Sequence, residues 1–202
     1  MKKQFACSLF FAIFLVFAGA VIAGSGKTAD VAMAPAIGAT IDDFTLADAD
    51  GKDHSLSSLR GKNGTVVIFI SVNCPISNAY NERMAKLAEE YGARGINVVG
   101  INSNKSETAD AVKAHAADKH LNFTILKDPG NKIADLFGAQ HTPEAYYLDA
   151  NNKLQYHGRI DNSTDTAKVE TNDLRDALDS ALAGKPIQKT TSLAFGCSIK
   201  RV

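Results

Sequence analysis

The chain has no surplus of charge: 22 Lys and Arg balance 22 Asp and Glu over 202 residues. No basic run stands out beyond Lys2-Lys3. A phosphate-backbone partner calls for a basic surface, so nucleic acid is not expected as a partner. Beyond residue 23 there is no apolar run of membrane length. Cysteine is scarce, with three residues and no Cys-x-x-Cys pair. A soft-metal centre at Cys74 would need a second cysteine nearby and a histidine. Neither a metal nor an organic cofactor is therefore expected.

What is present begins with "MKK" and the uncharged stretch Phe5 to Ala23. A positive start, an apolar middle and small residues at Val21 and Ala23 form the three-part pattern of an export signal cleaved after Ala23. The alternative is an uncleaved anchor, since the stretch nearly spans a bilayer. The expected destination is the periplasm or the exterior, with no membrane contact after cleavage. Cys7 leaves with the signal, so the mature chain keeps Cys74 and Cys197. Residues 24–38 read as a Gly/Ala-rich linker, 39–184 as one domain and 185–202 as a tail carrying Cys197.

The domain should open with a β-hairpin turning at Asp50-Gly51, followed by a short helical turn in "SLSSLRGK". The run "TVVIFIS" reads as a strand buried on both faces. Residues 76–92 read as one helix, with Ile76, Tyr80, Met84, Leu87 and Tyr91 on one stripe. "INVVGINS" and "FTILKD" read as strands. Ser106 or Thr108 caps the helix between them, and Asp128 caps a short helix from about 131. "EAYYLDANNKLQYHGRI" reads as an antiparallel pair turning at Asn151-Asn152. A last helix follows, with Leu174, Leu178 and Leu182 on one face. The tail shows no periodicity. The expected fold is α/β, with a mixed central sheet flanked by helices.

Cys74 sits where a buried strand passes into a helix, an edge of an α/β sheet at which sites form. Unpaired N–H groups and the helix dipole favour thiolate over thiol there. Pro75 suits the first helical turn. Elsewhere most cysteines are inert small hydrophobes.

The stretch "FISVNCPIS" resembles the active-site strand, turn and helix of thioredoxin-fold proteins, and "HTPEAYYLD" resembles their second signature. The resemblance implies a cis bond at Thr142-Pro143, packed against the active cysteine. More closely, "NCPISNAYNERM", "GINSN", "LKDPGNKIADLFGAQHTPEAYYLD", "HGRIDN", "TNDLRDAL" and "GCSIK" together resemble a redoxin subfamily related to the peroxiredoxins of the AhpC/TSA group, over about residues 39–200. The implied activity is that of an oxidoreductase. Cys74 would attack a small-molecule peroxide or a protein disulfide, and an external thiol would restore it.

Three positions depart from the pattern. Ser77 replaces the second thioredoxin cysteine, giving "CPIS". Ser71 keeps the hydroxyl that peroxiredoxins place three residues before their cysteine, but Val67 stands where they have proline. Pro143 stands where their activating arginine falls, leaving Arg159 or Arg83 as substitute charges. Cys197 is the candidate resolving thiol; the competing reading is a structural or unpaired cysteine. His141 could tune the thiol, while His54, His115, His120 and His157 read as surface residues. Asn102 and Asn104 could donate to a substrate. Arg159 and Asp161 could pair near the site. Tyr80 reads as core. The alternative function is a thioredoxin-fold binding module whose redox site is inactive.

Overall fold

The computed structural model describes residues 33–202. The expected signal and most of the expected linker lie outside the described residues. Strands β1 (Thr45–Ala47) and β2 (Asp53–Ser55) form the expected antiparallel hairpin. The Asp48 carboxylate closes its turn by accepting from the amides of Asp50 and Lys52 at 2.9 and 3.0 Å. The expected turn in "SLSSLRGK" is a single hydrogen-bonded turn, too short to be a helix, in which the Leu59 amide donates to the Ser55 carbonyl at 3.1 Å. Ser55 and Ser58 bond each other's amides through their hydroxyls, and Asp43 takes the Ser57 amide and hydroxyl.

Next come β3 (Gly64–Phe69), α1 (Pro75–Asn78), α2 (Asn81–Gly92), β4 (Ile96–Asn102), α3 (Ala109–Asp118), β5 (Thr124–Lys127) and α4 (Lys132–Phe137). The two-residue strand β6 (His141–Thr142), β7 (Glu144–Leu148), β8 (Leu154–Gly158), α5 (Asp173–Leu182) and β9 (Cys197–Ser198) complete the order. The central sheet runs β5-β4-β3-β7-β8. β3 pairs in parallel with β4, and β4 with β5; β7 lies antiparallel to both β3 and β8. This is the mixed sheet that the alternating strand and helix segments imply.

Period-two alternation divides the core. On one face Val66, Ile68 and Val98 pack with Met84, Leu87 and Tyr91 of α2 and with Leu174 and Leu178 of α5. On the other, Val67, Phe69 and Ile101 meet Phe137, Tyr146 and Leu148. Each such side chain removed from water contributes about 1.5–3 kcal/mol. β3 is therefore anchored on both faces, and the turn after it is built on a fixed base.

Two further expectations change. The single helix 76–92 is broken at Ala79-Tyr80, where Tyr80 adopts φ −100° and ψ −5°. The Tyr80 hydroxyl reaches Asp161 at 2.8 Å, and Arg83 stacks 3.8 Å from the Tyr80 ring centroid while donating to the Ala79 carbonyl at 3.3 Å. The aperiodic tail contains β9, which pairs antiparallel with β6 through Thr142↔Cys197 and His141↔Ser198. No amphipathic period announces it, because two residues pair along one short edge.

Candidate active site

Cys74 occupies the cap position before α1, with φ −84° and ψ 114°, and is 3% exposed. The Ser77 amide donates to its Sγ at 3.3 Å. The Thr142 carbonyl oxygen lies 3.2 Å from the same sulfur. The Thr142-Pro143 bond is cis. Cys74 and Cys197 form a disulfide, with Cα atoms 5.9 Å apart across a sequence separation of 123. The tail thus brings Cys197 to Cys74 from the far end of the domain. Cys197 is half-buried, the more exposed residue of the two.

Beneath the turn lies a group that the sequence reading missed. Glu107, 3% exposed, accepts through Oε1 from the Ser71 hydroxyl at 2.7 Å and the Asn73 amide at 3.0 Å. Its Oε2 accepts from the Val72 amide at 3.0 Å and the Asn102 side chain at 2.5 Å. Ser71 Oγ in turn accepts from the Cys74 amide at 3.1 Å. Burial alone would raise the Glu107 pKa, but bonds from Ser71, Asn102, Asn73 and Val72 outweigh it and hold the carboxyl below its usual value. The signal available in sequence was the polar run Asn102-Ser103-Asn104 directly after an apolar strand. β4 lies beside β3 in parallel, so its end loop must meet the Cys74 turn.

A second buried carboxylate, Glu144, supports the segment facing Cys197. Its Oε2 accepts from the Gln140 and His141 amides at 2.7 and 2.8 Å, and its Oε1 lies 2.6 Å from His157 Nε2. Burial raises its pKa, but bonds from His157, Gln140 and His141 prevail and lower it.

The remaining sequence candidates are placed as follows. Ser71, Cys74, Thr142, Pro143 and Cys197 come together. Arg159 does not pair with Asp161: its Nε binds Asp173 at 2.6 Å, whereas Asp161 holds Arg83 at 2.6 Å. Arg83 also donates to the Ser163 and Thr164 carbonyls at 2.7 and 2.9 Å. Both arginines are thus committed to carboxylates. Asn102 and Asn104 are buried, so they serve the loop rather than face a ligand. Asp128 accepts from the Ile133 and Ala134 amides at 3.1 and 3.0 Å, as a cap would. Ser77 closes the turn by accepting from the Ser71 amide at 3.2 Å. His141 is partly exposed, with Nδ1 3.9 Å from Glu144. His54, His115 and His157, expected at the surface, are half-buried and bond Asp48, Asn81 and Glu144. Among the described residues no cluster of three or more His, Cys, Asp or Glu is arranged to hold a metal.

The sheet order, the cysteine capping α1 after β3 and the cis-proline segment opposite it define a thioredoxin-like protein with a thiol site. The chain belongs to the AhpC/TSA family, whose model matches residues 37–157. It is 34% identical over 125 residues to a chloroplastic peroxiredoxin Q from Sedum lineare, covering 58% of this chain and 66% of that one. It is 27% identical over 122 residues to the thiol-disulfide oxidoreductase ResA of Geobacillus thermodenitrificans, covering 60% and 68%. The chain spans about half to two thirds of the length of the peroxiredoxin Q relatives, 66% of the Sedum protein and 54% of that from Triticum aestivum. Among solved structures, a hypothetical protein from Sinorhizobium meliloti 1021 superposes with a TM-score of 0.78 at 34% identity, covering 84% of this chain and 97% of that one.

Proposed function

We propose that this chain is an exported thiol oxidoreductase that cycles between a Cys74/Cys197 dithiol and the Cys74–Cys197 disulfide. The observation that carries this is the pairing of a cap-position cysteine with a tail cysteine 123 residues away. The Ser77 amide aimed at Sγ favours the Cys74 thiolate. Attack on a peroxide oxygen breaks the O–O bond, releases an alcohol or water, and leaves a sulfenic acid on Cys74. The Cys197 thiol displaces the hydroxyl as water and forms the disulfide. Attack on a protein disulfide instead breaks its S–S bond, frees one substrate thiol and forms a mixed disulfide, which Cys197 resolves by releasing the second substrate thiol. Two equivalents of an external thiol then restore the dithiol and leave as their own disulfide. Arg83 and Arg159, the two candidate substitutes for an activating arginine, are both held by carboxylates, which leaves neither free to polarise a peroxide. This favours disulfide exchange over fast peroxide reduction. The charged start and apolar stretch at residues 1–23 support export, to a compartment where disulfides persist. Residues 39–184 form the redox domain in this reading, and 185–202 deliver the second thiol.

The reduced protein is mixed with one equivalent of hydrogen peroxide or of a disulfide-bonded peptide, and the thiols are mapped by mass spectrometry. Loss of both thiols with formation of the Cys74–Cys197 bond is expected. Cys74→Ser should abolish the reaction, while Cys197→Ser should stop at a Cys74 adduct. A Cys74 unreactive toward both reagents would overturn the proposal in favour of an inactive binding module.

A further inference from the structure

The loop between β4 and α3 faces two ways. One side is the Glu107 carboxylate, which holds the Ser71 hydroxyl and the Val72 and Asn73 amides ahead of Cys74. The other side grips the tail three residues after Cys197. Asn104 Oδ1 accepts from the Lys200 amide at 2.8 Å, and the Lys105 amide donates to the Lys200 carbonyl at 3.0 Å. Asn104 itself is fixed: Lys127 Nζ donates to its carbonyl at 2.7 Å, and its own amide lies 3.5 Å from Glu107. Further along, the Ile199 amide donates to the Gln140 carbonyl at 2.9 Å and the Val202 amide to Asn131 at 2.9 Å. Ile199 is buried, and Arg201 binds Asp135 and the Ala139 carbonyl. None of these contacts involves a sulfur atom.

We propose that this loop is a clamp independent of redox state: Glu107 and Asn104 hold the two cysteine-bearing segments together, so that Cys197 stays beside Cys74 after the disulfide is reduced. The inference rests on the dithiol–disulfide cycle proposed above and adds that the cycle needs no departure of the tail. Asn104 is then a positioning residue. By holding Cys197 at close range it raises the effective concentration of one thiol toward the other. The disulfide is made more stable against external thiols than the same two cysteines on a free tail would allow.

The test uses the full chain in glutathione redox buffers at pH 7, with the Cys74–Cys197 fraction read by alkylation and mass spectrometry. Asn104→Ala is expected to lower the equilibrium constant for the disulfide about tenfold, equivalent to a potential about 30 mV less negative. The constant falls because, without the clamp, the reduced tail is free to leave while the oxidised tail is still held by the disulfide; an unchanged potential overturns the proposal. A second measurement needs no variant, and decides the matter if Asn104→Ala does not fold. In the reduced wild-type chain, the amides of Ile199, Lys200 and Val202 should remain protected from hydrogen exchange. Exchange at free-peptide rates would refute the clamp. Neither readout uses peroxide or a protein substrate, so failure here is distinguishable from failure of the proposed activity.

Discussion

Glu107 is the residue on which most of the site's polar geometry converges. Its folded pKa lies below the ordinary carboxylate value, because donors outweigh burial. Replacing it by Gln puts an amide against Ser71, Val72, Asn73 and Asn102, all of which already donate. The expected cost is about 1–3 kcal/mol, checked by urea unfolding, with slower alkylation or oxidation of Cys74 in a variant that still folds. At Gly196 the constraint is space. A methyl group there would overlap the Thr142 carbonyl oxygen, so Gly196→Ala should displace Cys197. The expected outcome is a several-fold loss of disulfide in equilibrium with glutathione, read by the same alkylation assay; an unchanged fraction would show that the tail approaches differently. Neither position was legible as functional in sequence. Glu107 is remote from Cys74 along the chain, and a glycine before a cysteine resembles any loop glycine.

At the scale of elements, the strands were easier to read than the connections. "TVVIFIS" and "INVVGINS" carry continuous apolar runs long enough to demand burial on both sides, and their order fixed a parallel pair. The regular stripe of Tyr80, Met84, Leu87 and Tyr91 predicts a continuous helix after Cys74. Its break arises from tertiary bonds of Tyr80 and Arg83 to Asp161, which no local period encodes. Removing the hydroxyl with Tyr80→Phe leaves Asp161 still paired with Arg83. A loss of about 1 kcal/mol is expected in thermal or urea unfolding, with the Cys74–Cys197 bond retained. The tail was the least legible element, since two strand residues and a set of single hydrogen bonds have no repeating pattern. The thiol site was half legible: Cys74, Thr142 and Pro143 follow from motif and position, but pairing with Cys197 depends on how the tail crosses β6.

For the whole molecule, acid stability draws on buried carboxylates held below their usual range, among them Glu107, Glu144 and Asp173. Glu107 and Glu144 both titrate lower when folded than their ordinary value of 4.5. Their stabilisation is fully present above the unfolded pKa and fades as pH falls through the lowered folded values. The unfolding midpoint should therefore be steady near neutrality and fall steeply below about pH 4.5. Glu107→Gln should flatten that decline; an equally steep fall in the variant would assign the acid sensitivity elsewhere.

The separation of 123 residues between the paired cysteines has a consequence for the protein as a polymer. Cys74 lies near the start of the central sheet and Cys197 near the C-terminus, so oxidation turns most of the chain into a ring. Closing a ring of this size removes conformations from the unfolded chain, about 5 kcal/mol in the chain-entropy account. The bond that the proposed cycle opens and closes is thus also a brace on the fold. Reduction alone should lower the melting temperature of the wild-type protein, with no change of sequence. By the closed thermodynamic cycle, the folded state favours the disulfide by as much as the disulfide favours the folded state. Reduction therefore lowers the free energy of unfolding while leaving the folded tail in place, and reoxidation restores it.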